Sequence, residues 1–237
     1  MRKLLIALVV LVLLLVLADR AAAFAAESIA AGDLRNQLNL TQKPDVTVHG
    51  WPFLTQLADG RYDDIEVSAH DVDVSQLAGL SVDVHLIGAH IPAGDVIHRR
   101  VSNVPVDRVQ GQVTVPYADI ASASKVPGLQ LHKSGDGVAI TAPLTVFGQR
   151  LSITATATVA VSGDALRIGA QAPKTGQGSL AGAALSQVLG ALSFEVPLGR
   201  LPFGVQVTDV HPAAGGIVAA GRVDHVVLRR DALLTAP

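Results

Sequence analysis

Cysteine is absent from the 237 residues, which excludes disulfides, thiolate metal ligands and thiol chemistry. Methionine occurs only at position 1, so a Met-rich adaptable groove is excluded as well. Aromatic residues make up 3% of the chain against an apolar total of 49%, so the core must be built from Val, Leu, Ile and Ala. The formal charge is −2 and no basic block occurs. That leaves no footprint for nucleic acid and no polybasic segment to hold an anionic membrane by charge alone. The Gly-x-Ser-x-Gly, Gly-x4-Gly-Lys and His-Glu-x-x-His signatures are missing too, so no familiar enzyme chemistry is indicated.

What is present begins with Arg2-Lys3 and fifteen uninterrupted apolar residues, Leu4 to Ala18, closed by Asp19-Arg20. A basic start followed by such a run has the form of a secretion signal. As a helix it spans about 22 Å, short of the roughly 30 Å hydrocarbon core of a bilayer. Ala21-Ala22-Ala23 follows a charged pair and makes an imperfect cleavage site. Residues 1–20 are therefore expected to be a signal peptide or an N-terminal membrane anchor, with Arg2 and Lys3 on the cytoplasmic side. Either way the body of the protein is expected outside the cytoplasmic membrane, periplasmic or held at its outer face.

Residues 21–38 predict a helix with Phe24, Ile29, Leu34 and Leu38 on one apolar face. From Val46 the period becomes two, the signature of half-buried strands. Ile65 and Val67 alternate with Asp64 and Glu66, then the register slips across Ala69–Asp71, which predicts a bulge or bend. Further alternation covers Val82–Leu86 and Val113–Tyr117, and a short helix follows over Tyr117–Ser124. Leu151–Ser162 is the clearest strand, with Ile153, Ala155 and Ala157 on its apolar face and threonines opposite. Ser179–Leu192 predicts a second long helix with Leu185, Val188 and Leu189 in its apolar stripe. Gly215-Gly216 marks a tight turn between closing strands. No linker divides the chain, so residues 21–230 are expected to form one mainly β domain of α+β class, with 231–237 as a tail.

The polar candidates have plain readings. Eight scattered histidines show no metal-ligand spacing and suit the polar faces of strands. Asp63-Asp64 are adjacent in a strand pattern and so point to opposite faces rather than sharing a proton. Gly176-Gln-Gly-Ser-Leu-Ala181 lacks the βαβ context of a dinucleotide site. The apolar features carry more. Long β-branched strands with striped helices make either a solid core or a groove that accepts acyl chains at about 0.8 kcal/mol per buried CH₂. Small residues such as Ala155 and Ala157 suit both.

The most distinctive stretch is Pro44–Val67, containing Val48-His-Gly-Trp-Pro-Phe-Leu-Thr-Gln-Leu57 and Gly60-Arg-Tyr-Asp-Asp-Ile65. It holds the single Trp and lies between two strand patterns. This stretch resembles the LmeA-like phospholipid-binding family of actinobacterial cell-envelope proteins, with Trp51 where Phe is the commoner residue. Val115-Pro-Tyr-Ala-Asp-Ile120, Leu201-Pro-Phe-Gly-Val-Gln-Val207 and Gly216-Ile-Val-Ala-Ala-Gly221 resemble further, weaker family segments. The resemblance runs over nearly the whole chain.

It implies a long curved antiparallel sheet wrapped on two or three helices, similar to tubular lipid-binding domains. It also implies a non-enzymatic protein without a cofactor that binds phospholipid, transfers or presents it, and supports lipoglycan (lipomannan-type) synthesis. The expected partners are phospholipid and the inner membrane. Trp51, Phe53, Leu54 and Leu57 become candidates for the mouth or lining of an apolar site, or for a plug on the core. Ile153, Ala155, Ala157, Leu185, Val188 and Leu189 are candidates for its wall. The alternative is a scaffold with a solid core supporting an envelope glycosyltransferase. An envelope hydrolase using an Asp or His outside the known signatures is a third reading.

Overall fold

The period-two pattern builds most of the chain into antiparallel strands. The computed structural model describes residues 2–74, 77–98, 100–124, 126–146, 149–162, 165–171, 190, 193–197 and 206–229. A first sheet contains β1 (Asp45–His49), β2 (Arg61–Val74), β3 (Leu77–His90), β4 (Asn103–Pro116), β10 (Gln206–Pro212) and β11 (Gly216–Arg229), in the order β1-β2-β3-β4-β11-β10. A second sheet is a meander of β5 (Gln130–Ser134), β6 (Gly137–Val146), β7 (Gln149–Ser162), β8 (Ala165–Gln171) and β9 (Phe194–Pro197). The described helices are α1 (Arg2–Leu38), α2 (Phe53–Asp59), α3 (Ala93–Ile97) and α4 (Tyr117–Ala123). The architecture is mainly β and antiparallel, as expected, and among the described residues neither sheet closes into a barrel. The helix expected over Ser179–Leu192 lies outside the described residues apart from Gly190.

The chain forms two compact units, and the boundary falls within each of the 14-residue strands β2, β3, β4 and β11. The register slip read at Ala69–Asp71 is a left-handed residue, Asp71 at φ 53°, at that boundary in β2. Val67 packs in the core of the first unit and Val72 in that of the second.

The first unit holds α1, β1, α2, α3 and the adjoining halves of the long strands. Its core joins Ala23 of α1, Phe53 of α2, Tyr62 and Ile65 of β2, Ala89 of β3, and Val106 and Val109 of β4. α1 continues through Asp19-Arg20 without a break, because charged residues do not terminate a helix that lacks Pro. Its buried face differs from the expected one. Asp19, Ala23 and Ala31 are buried, whereas Phe24, Ile29 and Leu38 are exposed. Asp19, Ala23, Glu27 and Ala31 recur every fourth residue and share one face. Small alanines let the helix lie close to the sheet, and Glu27 Oε1 accepts the Val48 N–H at 2.9 Å. β1 is the edge of its sheet, so this contact satisfies an edge donor that would otherwise face solvent.

The second unit holds the other halves of the long strands, α4, β10 and the whole meander. β7 follows its predicted alternation. Ala155 and Ala157 are buried opposite Ile140 and Val138, while Thr154 bonds to Thr141 across the other face. Val138, Ile140, Ala142, Ala157 and Ile168 retain 0% exposure in a cluster with Leu80, Ile120, Leu131 and Ile217. β6 runs unbroken through Pro143, which lies past the end of its neighbour β5, where proline is tolerated.

The entry to α4 is fixed by the β10–β11 turn. Tyr117 donates its hydroxyl to the Ala213 carbonyl at 2.9 Å, and its N–H points to the Gly215 carbonyl. Gly216 lies directly against the β4 backbone, and a Cβ there would run into the Val115 carbonyl oxygen and Pro116. Gly216→Ala should therefore destabilise the protein by about 2 kcal/mol, the cost of forcing atoms into a packed site. A thermal melt matching the parent would show that the strands separate freely there.

Candidate lipid-binding site

The aromatic-rich stretch between β1 and β2 is more ordered than a turn. Phe53–Asp59 forms α2, which the sequence pattern did not indicate because seven residues hold too few periods to read. The helix is bounded by Pro52, in a cis bond with Trp51, and by Gly60 in the left-handed conformation at φ 65°. Gly60 caps the last turn through its N–H, and its carbonyl accepts the Ile91 N–H at 2.9 Å. Gly50 is needed for a second reason. Its φ is 95°, and a Cβ would sit 2.7 Å from Gln56 Nε2. The buried Gln56 amide closes the connection from inside: it donates to the His49 carbonyl at 3.2 Å and accepts the Asp63 N–H at 2.9 Å.

The N-terminus of α2 is capped from another element. Asp19 Oδ1, on α1, accepts the Leu54 N–H at 2.8 Å, and Asp19 Oδ2 pairs with Arg20 at 2.8 Å. Both Asp19 and Glu27 thus present carboxylate oxygens to backbone donors of the body. Charge-assisted bonds of this kind are roughly twice as strong as neutral ones.

The sequence-predicted site residues divide accordingly. Phe53 is buried and Leu57 half-buried, and they meet in the core of the first unit. Trp51 and Leu54 are exposed. Ala155 and Ala157 are buried in the core of the second unit. The Ile153 backbone pairs with Ala142 in the β6–β7 ladder; its side chain lies outside the described residues. Leu185, Val188 and Leu189 also lie outside them.

Tyr62 was not among the predicted residues. It is 3% exposed, and its ring lies 6.4 Å from that of Phe53 at an interplanar angle of 43°. Among the described residues its hydroxyl is the buried side-chain polar atom with no hydrogen-bond partner. Burial pushes its pKa above the usual tyrosine value, so the group stays a neutral donor. An unmade buried bond costs about 1–3 kcal/mol, and the ester or phosphate oxygens of a lipid are acceptors of the right kind. A donor beside an apolar wall can orient an amphiphile, but it offers no nucleophile or acid–base pair.

The polar face of the same strands carries polar side-chain pairs instead. His49 meets Glu66 at 2.7 Å and His85 meets Asp64 at 3.0 Å, with the two imidazoles stacked 6.4 Å apart. Arg61 on β2 reaches Asp107 on β4 at 2.9 Å across Gly88, whose missing side chain leaves room for that carboxylate. These groups are solvated, and among the described residues no cluster of His, Asp and Glu is placed to hold a metal ion.

The family model described as LmeA-like phospholipid-binding matches residues 17–222. No curated protein and no solved structure matches the chain.

Two substitutions test this arrangement. Tyr62→Phe should raise the stability of lipid-free protein by about 1 kcal/mol, because it removes an unsatisfied hydroxyl. Chemical denaturation measures this, and a loss of stability would mean that the hydroxyl has a partner. Asp19→Ala should speed hydrogen exchange at the Leu54 amide while leaving the β6 and β7 amides unchanged. Unaltered exchange at Leu54 would show that α2 does not depend on α1.

Proposed function

The chain belongs to the LmeA-like phospholipid-binding family, and from that we propose an exported protein that binds phospholipid at the outer face of the cytoplasmic membrane. The family match carries the reading. Two structural features support it. The apolar run of α1 is long and apolar enough to enter a bilayer and remains uncovered by the rest of the protein. The core beside Phe53 and Leu57 contains an unpaired hydroxyl at Tyr62, which suits the polar part of a lipid whose chains lie on apolar side chains.

The process served is lipoglycan (lipomannan-type) synthesis in the cell envelope, with the protein presenting or transferring lipid rather than reacting with it. α1 acts as an anchor in this reading. Its continuation past Asp19 into the core of the first unit favours retention, because cleavage after Ala23 would remove the acceptor that caps α2.

The scaffold reading is supported by a different observation. Among the described residues of the second unit, several core side chains retain no surface. Lipid analysis separates the two. Full-chain protein, purified from membranes and exchanged exhaustively into fresh detergent, should retain phospholipid in a fixed ratio. Tyr62→Phe should lower that ratio without lowering stability. Protein that carries no phospholipid after exchange would favour the scaffold.

A further inference from the structure

Three large apolar side chains lie exposed around the end of the α1 apolar run: Phe24 at 73%, Trp51 at 65% and Leu54 at 40%. All belong to the first unit. The level of Leu54, and with it the start of α2 two residues after Trp51, is fixed relative to the run by one bond. Asp19 directly follows Ala18, and its carboxylate holds the Leu54 N–H at 2.8 Å. The start of α2 therefore sits at the point where the run ends. Phe24 lies five residues further along the same helix, about 7.5 Å along the axis. Its side chain leans back toward the N-terminus, as all helical side chains do.

We propose that Trp51, Leu54 and Phe24 form a seat for the bilayer surface, entering the headgroup layer around the point where α1 leaves the membrane. This rests on the reading that α1 stays in the bilayer. From Leu4 to Leu15 the large apolar side chains are 48–76% exposed, and lipid is the partner that suits such a run. The headgroup layer adds roughly 5–7 Å beyond the hydrocarbon on each side, so groups level with Asp19 fall inside it, and the Phe24 ring reaches its outer part by leaning back toward the N-terminus. A bilayer is a plane, so the direction in which each side chain leaves the helix axis matters little. Depth decides contact. Trp, with an apolar ring and one N–H, suits that layer best. Arg20, half-exposed beside Asp19, faces the same layer and suits lipid phosphates.

The consequence is a body seated on the membrane rather than held on a flexible tether. No loop separates the run from the core, because α1 itself contributes Ala23 to that core. A protein seated in this way takes or delivers lipid at the leaflet it rests on.

The single Trp makes the test direct. Full-chain protein is reconstituted in vesicles of phosphatidylcholine and phosphatidylglycerol, some containing phosphatidylcholine brominated near the carbonyl end or near the methyl end of the acyl chain. Trp51 emission should be shielded from aqueous iodide and quenched more by the carbonyl-end bromines. A Trp51→Phe, Leu11→Trp double variant reports α1 itself and should be quenched more by the methyl-end bromines. Leu54→Asp, which keeps Trp51, should restore iodide access. If Leu11→Trp is quenched while Trp51 stays open to iodide and insensitive to both brominated lipids, the seat is wrong and the anchor stands. If Leu11→Trp is not quenched either, the anchor reading fails and the seat fails with it.

Discussion

Two carboxylates on one face of α1 tie that helix to β1 and to α2. Asp19 and Glu27 are eight residues apart, so they lie on the same side of the helix and each reaches a backbone N–H. One satisfies the edge strand β1 and the other the start of α2. The alanines between and beyond them bring the helix close enough for both bonds. This explains why an apolar N-terminal run ends in a buried aspartate rather than at a break in the helix. It also links two features of different scale, since the bond that caps a seven-residue helix sets the height of that helix above the apolar run.

Much of the fold was legible from period-two alternation, because a strand with one face on a core must alternate. β7, the entry to α4 and the turn before β11 follow directly from the residues. So does the bend in β2, where one left-handed residue changes which face of the strand meets a core. The face of α1 was not legible. Large apolar residues are expected inside when water lies outside, yet here the alanines and carboxylates turn inward and Phe24 turns outward. The pattern inverts because the helix docks by backbone hydrogen bonding and close approach rather than by bulk.

The candidate site was only partly legible for a similar reason. Counting by twos from Ile65 places Tyr62 on the polar face with Asp64. Tyr62 and Ile65 nevertheless both enter the core, so the alternation shifts by one across Asp63–Asp64, where the Asp63 N–H is taken by Gln56. The segments that carried the family resemblance make sense as contacts. The Val115–Ile120 and Gly216–Gly221 segments meet where Gly216 lies on Val115 and Tyr117 bonds to the turn between β10 and β11. The Pro44–Val67 segment contains the connection closed by Gln56, with the glycines that its geometry requires.

The two cores differ in one buried polar atom. An acyl chain gains about 0.8 kcal/mol per CH₂ only where it replaces water or fills space. Driving it among side chains that already touch costs about 1–3 kcal/mol for each forced fit. Ala157, Ile140 and Ile168 have no surface left to offer, and Ala89, Phe53 and Tyr62 of the first unit retain at most 3%. The first unit combines apolar walls with a buried donor that lacks an acceptor, and it is the unit that α1 enters. A ligand with oxygen atoms at one end and hydrocarbon at the other relieves that imbalance, whereas a pure hydrocarbon or a purely polar molecule does not. Under the proposed function, that donor is where the polar end of a phospholipid sits.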